Sequence, residues 1–176
     1  PQMYLEIKDY PGIRRFGIDS INACISGAAP LPVEVQEAFE KLTRGRLVEG
    51  YGLTEASPIT HGNPVNGLRK VGSIGIPLPS TEARVVNLKQ STEPVPAGQI
   101  GELAVRGPQV MLGYWRNPQA THQVLHDSGW LLTGDIAQMD PDGYFRIVAR
   151  KADLWYPSRP DQPAFPRDVE EVLFEI

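Results

Sequence analysis

Apolar positions recur along the chain in two rhythms, and the change between them falls near Gly62. Before it, Ile21 to Ile25 forms a short apolar run that predicts a buried strand, followed by the turn-forming stretch SGAAPLP. Pro32 stands where a helix can begin without needing its N–H. Val35, Ala38, Phe39 and Leu42 then recur at i, i+3, i+4 and i+7 as one stripe, with Glu34, Glu37, Glu40 and Lys41 turned to water and Gly45 placed to close the helix. Leu47 to Glu49 completes a strand, helix and strand unit.

After Gly62 the pattern shortens to alternating strands punctuated by Gly and Pro: Ala83 to Leu88, Glu102 to Arg106, Leu131 to Met139 and Tyr144 to Val148. These predict a small β-barrel or sandwich, so the fold class expected is mixed α/β (α+β). Asp140-Pro141-Asp142-Gly143 reads as the hairpin loop between the last two strands, and Asn117-Pro118 as a helix start with Ala120, Val124 and Leu125 inward. Between Trp155 and Pro166 four prolines exclude a regular element, and Asp168 to Phe174 begins another helix. A domain boundary is expected near Arg150.

Composition narrows the function classes. A hydrophobic fraction of 41% over 176 residues supports a packed core, and a formal charge of −4 with no Lys/Arg run argues against a nucleic-acid partner. Cys24, the one cysteine, cannot form an internal disulfide and reads as a small buried side chain, which fits a reducing compartment. The opening PQMYLEIKDYPG lacks the charged start and apolar run of a signal peptide, and no stretch approaches the ~20 apolar residues of a membrane span. His61, His122 and His126 have no partners at zinc-ligand spacing and read as surface or packing residues, and Trp115 and Trp130 as core.

The densest chemistry lies in VEGYGLTEASP, Val48 to Pro58. Glycines let backbone N–H groups approach phosphate, Thr54 can donate to a phosphate oxygen, Glu55 can hold Mg²⁺, and Tyr51 can stack on a purine. Taken alone, the segment fits a structural capping role better. Three further segments change that weighing: SGAAPLP from Ser26, GELAVRGPQVMLGYW from Gly101, and GWLLTGDIAQMDPDGYFRIVARKADL from Gly129.

In this order the four segments resemble the adenylate-forming superfamily of acyl-CoA ligases, luciferases and peptide-synthetase adenylation domains, over nearly the whole chain, and the last resembles the signature of fatty acyl-CoA synthetases. The resemblance implies that residues 1–149 are the C-terminal part of a large AMP-binding domain, and 150–176 a hinge and the start of a small lid domain. It implies an adenine wall of Gly27, Ala28 and Ala29, and a purine slot completed by Glu49, Gly50, Tyr51 and Gly52. Thr54 contacts phosphate and Glu55 binds Mg²⁺, the two expected catalytic groups. Asp135 accepts the ribose hydroxyls, Arg150 adds donors there, and Ile147 packs near the base or serves as ordinary core. The bland alternative for Asp135 is a turn cap. Lys151 and Ala152 fall at the hinge. The substrates implied are a fatty acid, ATP and CoA, in the cytoplasm or peripherally at the inner membrane, although no basic amphipathic helix supports an anchor.

The resemblance also implies missing parts of a longer parent: the upstream Ser/Thr/Gly-rich phosphate loop and the distal lysine are absent, so the isolated chain is expected to be inactive. Ala152 stands where relatives carry Lys or Asp, and WYPSRPDQPAF replaces a glycine-bearing loop, which puts CoA transfer in question. Alternatives are an adenylating enzyme that serves a carrier protein, and a degenerate nucleotide or acyl-AMP binding module without turnover. A medium-chain or aryl substrate also stays open.

Overall fold

The computed structural model describes residues 1–90 and 92–155. It divides into two compact units, Pro1–Pro79 and a second beginning at Ser80. The boundary expected at Arg150 concerns a segment whose greater part, including the proline-rich stretch and the final helix, lies outside the described residues.

In the first unit, helix α1 (Gln2–Asp9) precedes strand β1 (Ala23–Ser26), helix α2 (Val33–Thr43) and strand β2 (Arg46–Gly52), and β3 (Ile59–Gly62) and β4 (Ile76–Pro77) follow. The sheet order is β1-β2-β3-β4. The strand, helix and strand unit is present, with β1 and β2 parallel and Ser26 opposite Glu49. Its core joins Leu31, Val35, Phe39 and Leu47, with Tyr4, Leu5, Ile7, Ile21 and Cys24 packed around them.

Helix α2 buries Val35, Gln36, Phe39 and Thr43, a face rotated from the apolar stripe. Two polar groups join the core because the backbone satisfies them: Gln36 Nε2 donates to Leu47 O at 2.6 Å, and Thr43 Oγ1 to Phe39 O at 2.9 Å. Glu40, expected in water, is largely covered instead. It pairs with Arg69 and accepts the Leu47 N–H at 2.8 Å. The helix ends on Arg44 in the left-handed region, not on Gly45. The strand expected at Ile21 to Ile25 starts later and is less buried, with Ile25 52% exposed.

The second unit holds β5 (Glu82–Val86), β6 (Ile100–Arg106), helix α3 (Pro118–Val124), β7 (Leu131–Met139) and β8 (Phe145–Arg150). All neighbours pair antiparallel in the order β5-β6-β7-β8. The expected barrel or sandwich is an open sheet among the described residues: β5 and β8 stand at opposite ends of the strand order and do not pair with each other, and a barrel needs its edges joined. The hairpin at Asp140 to Gly143 is as expected, with Asp140 N–H donating to Tyr144 O at 2.9 Å. Asn117 caps α3 by accepting the Ala120 N–H at 3.0 Å. Trp130 is 8% exposed and has the guanidinium of Arg84 4.0 Å from its ring centre, whereas Trp115, expected in the core, is 86% exposed.

Candidate functional site

Because β1 and β2 run parallel, their C-terminal ends and the turns that leave them lie side by side, the position where open parallel strands receive ligands. There the first unit has an open cleft of about 340 Å³, walled by Ile25, Gly27, Ala28, Gly50, Tyr51, Gly52, Leu53, Thr54, Pro58 and Ile59. Six residues expected at a nucleotide site meet on this wall: Gly27, Ala28, Gly50, Tyr51, Gly52 and Thr54. Ala29 and Glu55 are outside it.

The wall is shaped by close backbone approach. A Cβ on Gly52 would fall 1.8 Å from the carbonyl oxygen of Pro58, which also accepts the Leu53 N–H at 2.7 Å. Only glycine lets the chain double back there and bring Thr54, the first residue of a short 3-10 helix, round to the cleft. Ala28 holds φ at 68°, a left-handed conformation that an L-residue with a Cβ adopts at a cost.

Tyr51 meets the ring of His61 edge-on, with centroids 5.9 Å apart and planes at 65°. His61 is fully buried, with Thr60 Oγ1 2.9 Å from its Nδ1. Burial pushes its pKa down to about 4, so at neutral pH Tyr51 rests on a neutral imidazole. No feature of the sequence marked His61 for this role beyond its alternation with Ile59 in β3.

Glu49, expected in the purine slot, is not among the residues that wall this cleft. Its residue borders a small gap with Gln36, Asn63, Arg69 and Lys70. Burial pushes its carboxyl up, against the opposing pull of a hydrogen bond from the Leu31 backbone.

In the second unit a bulge positions the acidic residue. Ala104 pairs with Leu132 and Glu102 with Ile136, so Thr133, Gly134 and Asp135 stand opposite Leu103 alone. Gly134 takes φ 73°, and Thr133 Oγ1 ties the bulge down by donating to Leu103 O at 2.9 Å while accepting the Asp135 N–H at 3.1 Å. Asp135 is 3% exposed and pairs with Arg150, its register partner on β8, at 2.9 Å. Ile147 is half-buried opposite Ala137 in the same sheet. Lys151 and Ala152 lie in a single 3-10 turn after β8.

Sequence reasoning missed Glu102. It is 2% exposed, accepts the Gly134 N–H at 3.2 Å through Oε1, and pairs with Lys151 Nζ at 2.5 Å through Oε2. The signal available was a charged residue at an inward position of the run Ile100 to Val105.

Comparison with known proteins bears on the family. A family profile described as AMP-binding enzyme matches residues 1–115. Over 175 residues the chain is 47% identical to a long-chain-fatty-acid–CoA ligase of Bacillus subtilis, covering 99% of this chain and 30% of that protein. Over 176 residues it is 39% identical to a feruloyl-CoA synthase of Amycolatopsis, covering 99% and 34%. Among solved structures, ATP-bound MatB from Rhodopseudomonas palustris superposes with a TM-score of 0.84 at 31% identity, over 100% of this chain and 34% of that one. The chain spans about a third of the length of the proteins it matches. The matched segment takes in the whole wall of the first unit's cleft and β6 of the second, and the chain belongs to the family of AMP-binding enzymes.

Proposed function

We propose that this chain is the nucleotide-side part of an ATP-dependent acyl-CoA ligase whose acyl substrate is a long-chain fatty acid. The observation that carries the proposal is the convergence of Gly27, Ala28, Gly50, Tyr51, Gly52 and Thr54 on one cleft. In the reaction a fatty carboxylate oxygen attacks the α-phosphorus of ATP and pyrophosphate leaves. The CoA thiol then attacks the acyl carbon of the acyl-AMP, giving the thioester and AMP. The protein's task in the first step is to hold the triphosphate in line and to offset its charge.

Within that scheme the flat face of Tyr51 receives the purine, the Thr54 hydroxyl donates to phosphate, and the Asp135 carboxylate accepts the ribose hydroxyls with Arg150 beside it. Glu55 would hold Mg²⁺. Among the described residues no three His, Cys, Asp or Glu cluster as a metal cage, which suits an ion held by one or two carboxylates together with phosphates and water. Bound there, Mg²⁺ would supply neutralisation of the triphosphate. Residues 150–176 are proposed as the hinge and the start of the lid domain, which turns between the two half-reactions. A location in the cytoplasm, or peripherally at the inner membrane, belongs to the same proposal.

Two measurements test it. ATP–pyrophosphate exchange by the full-length protein should require a fatty carboxylate and exceed that with an aryl acid. In an NMR titration of this chain with an acyl-adenylate analogue, amides around Tyr51, Thr54, Asp135 and Arg150 should shift saturably. A folded sample without shifts, together with no exchange on any carboxylate, would overturn the assignment.

A further inference from the structure

We infer that Glu102 is a positioning residue whose two oxygens serve two different parts of the reaction: one fixes the Asp135 bulge, and the other anchors the hinge through Lys151. The inference rests on the ligase reading above. Its basis is geometric. Glu102 lies on β6, paired with Ile136 of β7, at the point where β7 bulges. Oε1 accepts the N–H of Gly134, whose φ of 73° turns the chain into Asp135. Oε2 takes the ammonium of Lys151, the residue that follows Arg150 and precedes Ala152.

The Glu102 side chain is 3% exposed and that of Lys151 is 41% exposed. A carboxylate placed so deeply costs stability unless both its oxygens are satisfied, and here both are. An apolar residue at this interior strand position would cost the fold less, so the buried charge calls for another reason. The partners supply one. A single side chain holds the corner before Asp135 and the residue just before the expected pivot, and so gives the hinge a fixed base on the nucleotide side.

The two oxygens can be separated by substitution. Glu102→Gln keeps a carbonyl oxygen for the Gly134 N–H but loses the ion pair. Lys151→Met loses the ion pair from the other side, and Lys151→Arg keeps the charge. Glu102→Ala loses both contacts. In the full-length protein, adenylation is read as ATP–pyrophosphate exchange and the second step as the rate of thioester formation from acyl-AMP, well below each variant's melting temperature.

The inference predicts that E102Q and K151M each slow thioester formation at least fivefold while exchange stays within twofold of wild type. The double variant should be no slower than either single one, and K151R should restore the rate. E102A should in addition raise the KM for ATP at least fivefold. If Glu102 served the fold alone, these variants would melt earlier but both half-reactions would fall together. Parallel losses, or additive effects in the double variant, would overturn this inference and leave the ligase reading standing. Wild-type protein without exchange would overturn both.

Discussion

Asp135 and Arg150 stand directly opposite each other across the β7–β8 pairing, and the exposed guanidinium reaches the buried carboxylate, Nε to Oδ1, at 2.9 Å. The asymmetry of their exposure, 4% for the acid's side chain against 63% for the base's, orders the expected effects of removing them. Charge-assisted hydrogen bonds contribute about 1.5–3 kcal/mol, so Asp135→Ala should weaken an acyl-adenylate analogue by roughly ten- to a hundredfold. Arg150→Ala should cost less. Calorimetry on both variants checks the order, and a larger loss at Arg150 would remove Asp135 from the ribose role.

The turn at Gly52 admits no side chain. A Cβ 1.8 Å from the Pro58 oxygen forces the two strands of chain apart, and overpacking of this kind costs about 1–3 kcal/mol. Gly52→Ala should therefore lower the urea midpoint and weaken the nucleotide response together. Gly27→Ala, whose Cβ would meet the Gly50 oxygen at 3.3 Å, should be milder on both counts.

The buried imidazole of His61 predicts a loss of stability on acidification. Its folded-state pKa of about 4 lies below the ordinary 6.5, so the unfolded chain binds the proton more readily. Stability is full above about pH 6.5 and falls as pH drops toward 4, by roughly 3 kcal/mol in all. Urea unfolding at a series of pH values should show this slope, and His61→Gln should flatten it in that window.

Glu40 predicts a second acid-sensitive window, lower than the first. Burial pushes its carboxyl up, but the hydrogen bond from Arg69, the Leu47 amide and the nearby Arg69 and Arg46 charges outweigh burial and hold it below the ordinary 4.5. This contribution is present above about pH 4.5 and is lost as pH falls further. Glu40→Gln should leave the His61 slope between pH 6.5 and 4 in place and make the curve shallower below it.

The sequence spoke most clearly where local rules decide. Asn117 before Pro118 marked the start of α3, the Asp-Pro-Asp-Gly run marked the last hairpin, and β7 keeps the bounds its apolar alternation implied. The succession of β1, α2 and β2 followed from the helical stripe between two apolar runs. Less legible was whatever depends on partners distant in sequence. Gln36 and Glu40 look like solvent residues of α2 until Leu47 and Arg69 are brought against them. Glu102 reads as an interruption of a strand until the bulge at Gly134 and the turn at Lys151 supply its partners. Nor can a barrel be told from an open sheet by strand rhythm, because closure depends on how the edge strands meet. The cleft wall was legible through its glycine turn and its resemblance, whereas the surroundings of Glu49 were not, since Leu31, which hydrogen-bonds its carboxyl, and Gln36 and Asn63, which border the same gap, lie outside the motif.

Ala28 turns the left-handed corner of that wall with a methyl group where glycine would fit more easily, at a cost of about 1–2 kcal/mol. A glycine there would turn the same corner without that strain, so the methyl group does not hold the corner in place; the surrounding structure does. On the reading proposed above, the adenine wall is thus a point where the fold gives up stability, and its shape is only as firm as the packing that enforces it.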